Sequence, residues 1–166
     1  MPIDLETVTE ARLVAQALAG AESAFEQIVR RYQRPVIGLI ARLTGDRALA
    51  EDLAQETFVK AFRSLAAFDT TRRLSSWLFR IAHNTAIDAL RRARTLPAAP
   101  LDDDYRTDAL DAAAAPVEPD PVEREALAGA LEAALGRLRP DHRTAVILRY
   151  EEGLSFEDIA HVLGVA

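Results

Sequence analysis

Residues 75–94 carry the clearest helical pattern of the chain and read SSWLFRIAHNTAIDALRRAR. Ser75 or Ser76 is predicted to cap this helix, which we expect to reach about Arg94. Helical spacing of apolar side chains predicts a core side of Leu78, Ile81, Ala82, Thr85 and Ala89. The opposite side presents Trp77, Arg80, Asn84, Ile87 and Arg91. The helix is therefore expected to bury one face and to expose aromatic, basic and amide side chains on the other.

The exposed row has the chemistry needed to hold single-stranded DNA. Tryptophan stacks on a base or wedges against a base pair, arginine holds phosphate, and asparagine hydrogen-bonds a base edge. The preceding loop, residues 68–76, is rich in hydroxyls and hydrogen-bond donors and is a candidate pocket for an unstacked base. The alternatives are a core tryptophan at position 77 and arginines that only favour a helix C-terminus.

Two further helices precede this loop. In the first, Pro35 interrupts an apolar pattern and predicts a kink or a break. Gly45 is predicted to end that helix, and Asp46 to cap a second one over residues 47–65. The apolar stripe of the second helix is predicted to be Leu49, Leu53, Phe58, Phe62 and Leu65.

The polar side of the second helix groups four side chains on one face. They follow each other at i, i+3, i+4 and i+7 and are Asp52, Gln55, Glu56 and Val59. An acidic face with one apolar member suits docking onto a basic helical partner. The alternative is an ordinary solvated face, because most exposed acids only increase solubility.

The net charge of −6 counts against nucleic-acid binding until the chain is divided. Residues 1–94 hold 14 Lys/Arg and 11 Asp/Glu, whereas residues 95–166 hold 6 and 15. Six arginines against one acid, Asp88, fall within residues 72–94. The positive charge is thus concentrated beside the predicted DNA face, as phosphate contact requires.

Composition divides the chain into three parts. Residues 1–94 form one helical module, residues 95–121 an acidic Pro- and Ala-rich linker expected to be flexible, and residues 122–166 a second helical module. In the last part, Pro140 is predicted to end one helix, Asp141 to cap the next, and Ser155 to begin a capping box. No segment alternates like a strand. The sequence predicts an all-α fold of two small helical domains joined by the linker.

The final helices have the first helix and the turn of a helix-turn-helix. The helix that would enter the major groove is expected after Ala166, where the sequence given stops. The second domain is therefore expected to be an incomplete helix-turn-helix. This counts against an ordinary helix-turn-helix repressor, which needs an intact recognition helix.

Catalytic and membrane signals are lacking in the sequence. There is no Gly-rich phosphate loop and no GxSxG motif, and the spacing of His83, Asn84 and Asp88 is a weak metal signal. We expect no enzyme, cofactor or metal. The absence of cysteine, of a long apolar run and of a basic signal start predicts a cytoplasmic protein without membrane insertion.

Two stretches resemble the sigma factors of bacterial RNA polymerase, and the extracytoplasmic-function group in particular. Residues 50–62, AEDLAQETFVKAF, are similar to the polymerase-docking helix of that family. Phe68 and the residues that follow to Asp88 resemble its −10 recognition segment. Residues 138–143 and 153–160 are similar to the start of its C-terminal domain. The two motifs of the first module occur in order at the spacing of the family.

The resemblance implies a role for each surface. The face of Asp52, Gln55, Glu56 and Val59 would bind the clamp helices of the polymerase largest subunits. The −10 element would be bound by Phe68, Asp69, Arg72, Arg73, Ser76, Trp77, Arg80, Asn84 and Arg91. Promoter DNA, the polymerase core and an anti-sigma factor are the implied partners, with −35 contacts only if the chain continues. The alternative is a helical protein-interaction module without a DNA role.

Overall fold

The computed structural model describes residues 5–94 and 120–165, which form seven α-helices. Within these ranges there is no strand, so the all-α prediction is confirmed. The predicted linker lies outside the described residues except at its last two positions. None of the described helices has the length and apolar character that crossing a membrane requires. The helices are α1 (Leu5–Leu18), α2 (Glu22–Thr44), α3 (Arg47–Ser64), α4 (Leu74–Ala93), α5 (Pro121–Arg137), α6 (Pro140–Tyr150) and α7 (Phe156–Leu163).

The turn between α2 and α3 follows local sequence rules. Gly45 adopts a left-handed φ of 72°, and its N–H donates to the Ala41 carbonyl at 2.8 Å. Such a φ is cheap for glycine and costly for other residues. Asp46 then accepts a hydrogen bond from the Leu49 N–H at 3.0 Å. The predicted stop and N-cap are confirmed.

The expected break at Pro35 is absent, because α2 runs through this residue from Glu22 to Thr44. Proline removes a single N–H donor from the helix. Apolar side chains on both sides of Pro35, among them Ile28, Val36 and Ile40, are fully buried. This packing holds the two halves of the helix in line with the core.

The start of α4 differs from the prediction. The helix begins at Leu74, and neither Ser75 nor Ser76 caps it, because both serines lie inside it and are buried. The Leu74 N–H donates instead to Glu10 Oε2 on α1, at 3.2 Å. A carboxylate 64 residues away therefore does the work of a local cap.

The core lies between α2, α3 and α4, with α1 packed alongside. On α3 the buried side chains are Ala50, Leu53, Ala54, Thr57, Phe58 and Ala61. The predicted stripe is wrong for Leu49 and Phe62, which are exposed. At 100° per residue Phe62 lies opposite Leu53, so the two cannot face the same core.

The C-terminal helices pack onto the N-terminal ones. Apolar side chains of α6, α7 and the turn between them join the same core; they are Ile147, Leu148, Leu154, Ile159 and Val162. The Ser155 cap is confirmed, since its Oγ accepts from the Asp158 N–H at 3.1 Å. The Asp141 cap is wrong, because α6 begins one residue earlier, at Pro140. On α5 only Leu135 is buried.

Candidate nucleic-acid interface

A cleft of about 290 Å³ opens where the loop after α3 meets the first turns of α4. It gathers six of the nine residues predicted to contact DNA, which are Phe68, Asp69, Arg72, Trp77, Arg80 and Asn84. The other lining residues are Ser64, Ala67, Ile81 and His161. The loop and the exposed side of α4 therefore build one concave surface.

Trp77 forms an aromatic wall of the cleft. Its ring centroid lies 5.1 Å from that of Phe68, with the ring planes tilted by 47°. Phe68 is buried, whereas Trp77 is only half-buried and lines the cleft. A large ring held by a buried neighbour and open to a cleft can stack on an unpaired base. This placement differs from that of a core tryptophan.

The loop before α4 is shaped by Asp69. Its Oδ1 accepts hydrogen bonds from the Thr71 hydroxyl at 2.7 Å and from the Thr71 N–H at 3.0 Å. These bonds, the hydroxyl first, lower the pKa of Asp69. Asp69 Oδ2 lies 3.9 Å from Arg72 Nε. Asp69 thus builds the turn that places Arg72 at the rim of the cleft.

The cleft carries positive charge. Arg72 and Arg80 are exposed, and both line it. Burial lowers the pKa of His161, and the two arginines lower it further against the opposing effect of Asp158. A site that disfavours an added proton in this way favours an anion such as phosphate.

Three predicted DNA residues lie elsewhere. Ser76 is 1% exposed and its hydroxyl donates to the Arg73 carbonyl at 2.9 Å, so it stabilises the first turn of α4 instead of facing DNA. Arg73 is half-buried at the helix start. Arg91 is exposed near the other end of α4, beside a second cleft that includes Asp141.

The predicted docking face of α3 points away from the core. Asp52, Gln55 and Val59 are exposed, and Glu56 pairs with Lys60 at 2.7 Å. That hydrogen bond lowers the pKa of Glu56. The residues thus form an outward surface that is acidic along one side.

Phe62 extends this face and was missed by the apolar-stripe reasoning. Its side chain is 58% exposed and packs edge-on against Phe25, with ring centroids 5.0 Å apart. Phe62 lies three residues after Val59 and seven after Gln55, which is one helical face. Helical-wheel arithmetic would have found it. The face therefore combines acids with an exposed apolar edge.

His83 was also missed as a structural group. It is buried on α4, where Nδ1 lies 2.9 Å from Thr144 Oγ1 and Nε2 lies 3.2 Å from Asp141 Oδ1. Burial lowers the pKa of His83, against the opposing charge of Asp141. Within residues 5–94 and 120–165, no group of three or more His, Cys, Asp or Glu side chains is placed to hold a metal ion.

Two family models match the chain. The Sigma-70 region 2 model matches residues 28–95, and the Sigma-70 region 4 model matches residues 128–166. The first match includes α3, the cleft loop and α4. The second includes most of α5 and all of α6 and α7.

Curated proteins and solved structures agree with these models. RNA polymerase sigma factor CarQ of Myxococcus xanthus is 42% identical over 147 residues, covering 89% of this chain and 80% of its own. The ECF RNA polymerase sigma-E factor of Haemophilus influenzae is 36% identical over 95% of this chain and 85% of its own. The structure of CnrH in complex with the cytosolic domain of CnrY is 26% identical, covers 95% of this chain and 84% of CnrH, and has a TM-score of 0.66.

Proposed function

The chain belongs to the extracytoplasmic-function group of sigma-70 factors, promoter-specific initiation factors of RNA polymerase that are not enzymes, and we propose that its cleft captures the −10 element. The observation that carries this proposal is the convergence of Trp77, Arg80 and Asn84 with the Phe68 loop. Stacking on an aromatic ring contributes roughly 1–3 kcal/mol per base. That energy offsets the few kcal/mol needed to unstack a base. The protein melts DNA by trapping the open form, and it hydrolyses nothing.

The outward face of α3 is proposed to dock the factor onto the clamp helices of the polymerase core. Its acids, Asp52 and Glu56, complement a basic helical surface, and Val59 and Phe62 supply apolar contact. Docking and melting would thus belong to residues 1–94, while residues 122–166 would form the second module and 95–121 the linker. Acting with the core on the chromosome places the protein in the cytoplasm.

A promoter-selection experiment tests the cleft. Asn84→Ala is expected to change the preferred −10 sequence, because a good base-edge contact is worth about 1–3 kcal/mol of discrimination. The measurement is transcription by the reconstituted polymerase from a library of −10 sequences. Gln33→Ala, which alters an exposed amide on α2, is the matched control. A −10 preference identical to that of the wild type would contradict the assignment.

A binding experiment tests the docking face. Asp52→Arg is expected to weaken binding to core polymerase by about tenfold or more, because like charges across an interface cost several kcal/mol. Glu26→Arg makes the same charge change at an exposed position of α2 and should bind like the wild type. Equal affinity of both variants would exclude this face. Core binding without promoter opening on any template would favour a pure interaction module.

An anti-sigma factor is the further partner that we propose. The support is CnrH, whose structure is a complex with the cytosolic domain of CnrY. The exposed apolar side chains Val59 and Phe62 and the open cleft offer surfaces for such a protein to cover. Competition between a candidate inhibitor and core polymerase, abolished by Asp52→Arg, is the expected signature.

A further inference from the structure

The C-terminal helices form part of the wall of the DNA cleft. Helix α7 packs against α4, and His161 of α7 lines the cleft together with Trp77 and Arg80. A side chain of the second module thus occupies the rim where a flipped base and its phosphate would enter. The cleft is narrowed by the protein's own chain.

A buried polar pair fastens this packing. His83 is 4% exposed and Thr144 is fully buried, and their side chains lie 2.9 Å apart across the contact between α4 and α6. Asp141 holds the second ring nitrogen at 3.2 Å. Both nitrogens of an imidazole on the DNA-facing helix are therefore used by α6. Separating the modules would return these groups to water together with the apolar side chains around them.

A second set of contacts closes the opposite side. Arg42 near the end of α2 pairs with Glu132 of α5 at 3.2 Å and with Glu151 after α6. Arg143 donates to the Arg42 carbonyl at 2.7 Å, and also to the carbonyls of Leu135, Gly136 and Leu138 at the end of α5. One arginine thus joins three helices. These contacts lie away from the cleft and from the α3 face, so they can be altered separately.

We propose that this packing is an autoinhibited closed state, in which α6 and α7 mask the −10 cleft and DNA is captured only after they leave α4. The inference rests on the proposed function of the cleft. The free energy of opening reduces DNA affinity, because the apparent dissociation constant is the intrinsic one divided by the open fraction. Weakening the contact between modules therefore strengthens DNA binding without any change in the cleft.

The test uses charge reversal at Arg42. Arg42→Glu repels Glu132 and Glu151 and opens the molecule, whereas Arg42→Glu combined with Glu151→Arg restores an attractive pair and closes it again. Trp77 is the single tryptophan of the chain, so quenching of its fluorescence by acrylamide reports the cleft directly. We expect greater quenching in the single variant and wild-type quenching in the double variant. Far-UV circular dichroism establishes that both variants are folded.

DNA binding is measured on the same proteins. The probe is a labelled single strand carrying the −10 sequence that the wild-type holoenzyme prefers. Arg42→Glu is expected to bind it about tenfold more tightly than the wild type, which corresponds to about 1.4 kcal/mol of opening energy. Wild-type affinity in an open Arg42→Glu protein would overturn the masking. Unchanged quenching in that variant would overturn the closed state itself.

A crosslink supplies the opposite perturbation. The chain has no cysteine, so Arg42→Cys with Glu132→Cys allows a short cleavable bis-maleimide to lock the modules together. The locked protein should lose binding of the single strand and recover it on cleavage, and retained binding would refute the proposal. If both the cleaved and the open proteins transcribe but none shows a −10 preference, the cleft assignment fails while the closed state stands.

Discussion

Removal of the Glu10 carboxylate is expected to destabilise the N-terminal helices although Glu10 touches neither proposed partner. Glu10 is 4% exposed on α1, and its carboxylate accepts hydrogen bonds from the Tyr32 hydroxyl on α2 and the Leu74 N–H at the start of α4. In Glu10→Ala two buried donors lose their acceptor. Loss of a helix cap costs about 0.5–2 kcal/mol and an unsatisfied buried donor about 1–3. We therefore expect a loss of about 2–4 kcal/mol in the free energy of unfolding.

Urea unfolding followed by circular dichroism measures this loss. Tyr32→Phe removes one of the two donors, so the double variant with Glu10→Ala should lose less than the sum of the single losses. Residues in direct contact couple by about 0.5–3 kcal/mol in such cycles. The exposed Glu26→Ala is the control and should change stability by less than about 0.5 kcal/mol.

Two results would refute the reasoning about Glu10. A loss below about 0.5 kcal/mol in Glu10→Ala would mean that water replaces the carboxylate at little cost. Additive losses in the cycle with Tyr32→Phe would mean that the hydroxyl and the carboxylate do not depend on each other. A loss of −10 selectivity without a loss of stability would instead place Glu10 in DNA recognition, since α4 carries Trp77 and Asn84.

The remaining predictions concern pH and the α2–α3 turn. Because burial lowers the pKa of His83 below its usual 6.5, the unfolded chain takes up this proton first, so stability should fall as the pH drops below about 6.5. His161 shifts in the same direction, and Asp141 opposes the shift of His83; in urea titrations from pH 7.5 to 5, His83→Asn should flatten most of the decline. Asp46→Ala removes the cap of α3 and should cost about 1 kcal/mol at pH 7. Gly45→Ala, at a φ of 72°, should cost about 1 kcal/mol in the same assay, and a neutral result would contradict the strain argument.

Local signals in the sequence were sufficient for several helix ends. Gly45 followed by Asp46, and Ser155 before α7, act through hydrogen bonds that span three or four residues. Such bonds depend on residue type and spacing, which the sequence states directly. The same holds for the exposed row of α4, where helical spacing placed Trp77 and Asn84 on one side.

Long-range contacts were beyond the sequence. The bond from Leu74 to Glu10 joins residues 64 positions apart, and the contact of His83 with Thr144 joins residues 61 apart. No local pattern marks either partner, so serine was expected as the cap. Leu49 and Phe62 failed for a different reason, because an apolar residue is not always a core residue, and the angle around α3 decides.

The uneven charge of the chain acquires a physical role in the proposed closed state. The basic half, with Arg72 and Arg80 at the cleft, would attract phosphate and also the acidic C-terminal half. Acids of that half already lie against the first module, where Glu132 contacts Arg42 and Asp141 contacts His83. DNA and the C-terminal helices then compete for one basic surface. A net charge of −6, which at first counts against a DNA-binding protein, is thus the balance of a DNA face and of the segment that covers it.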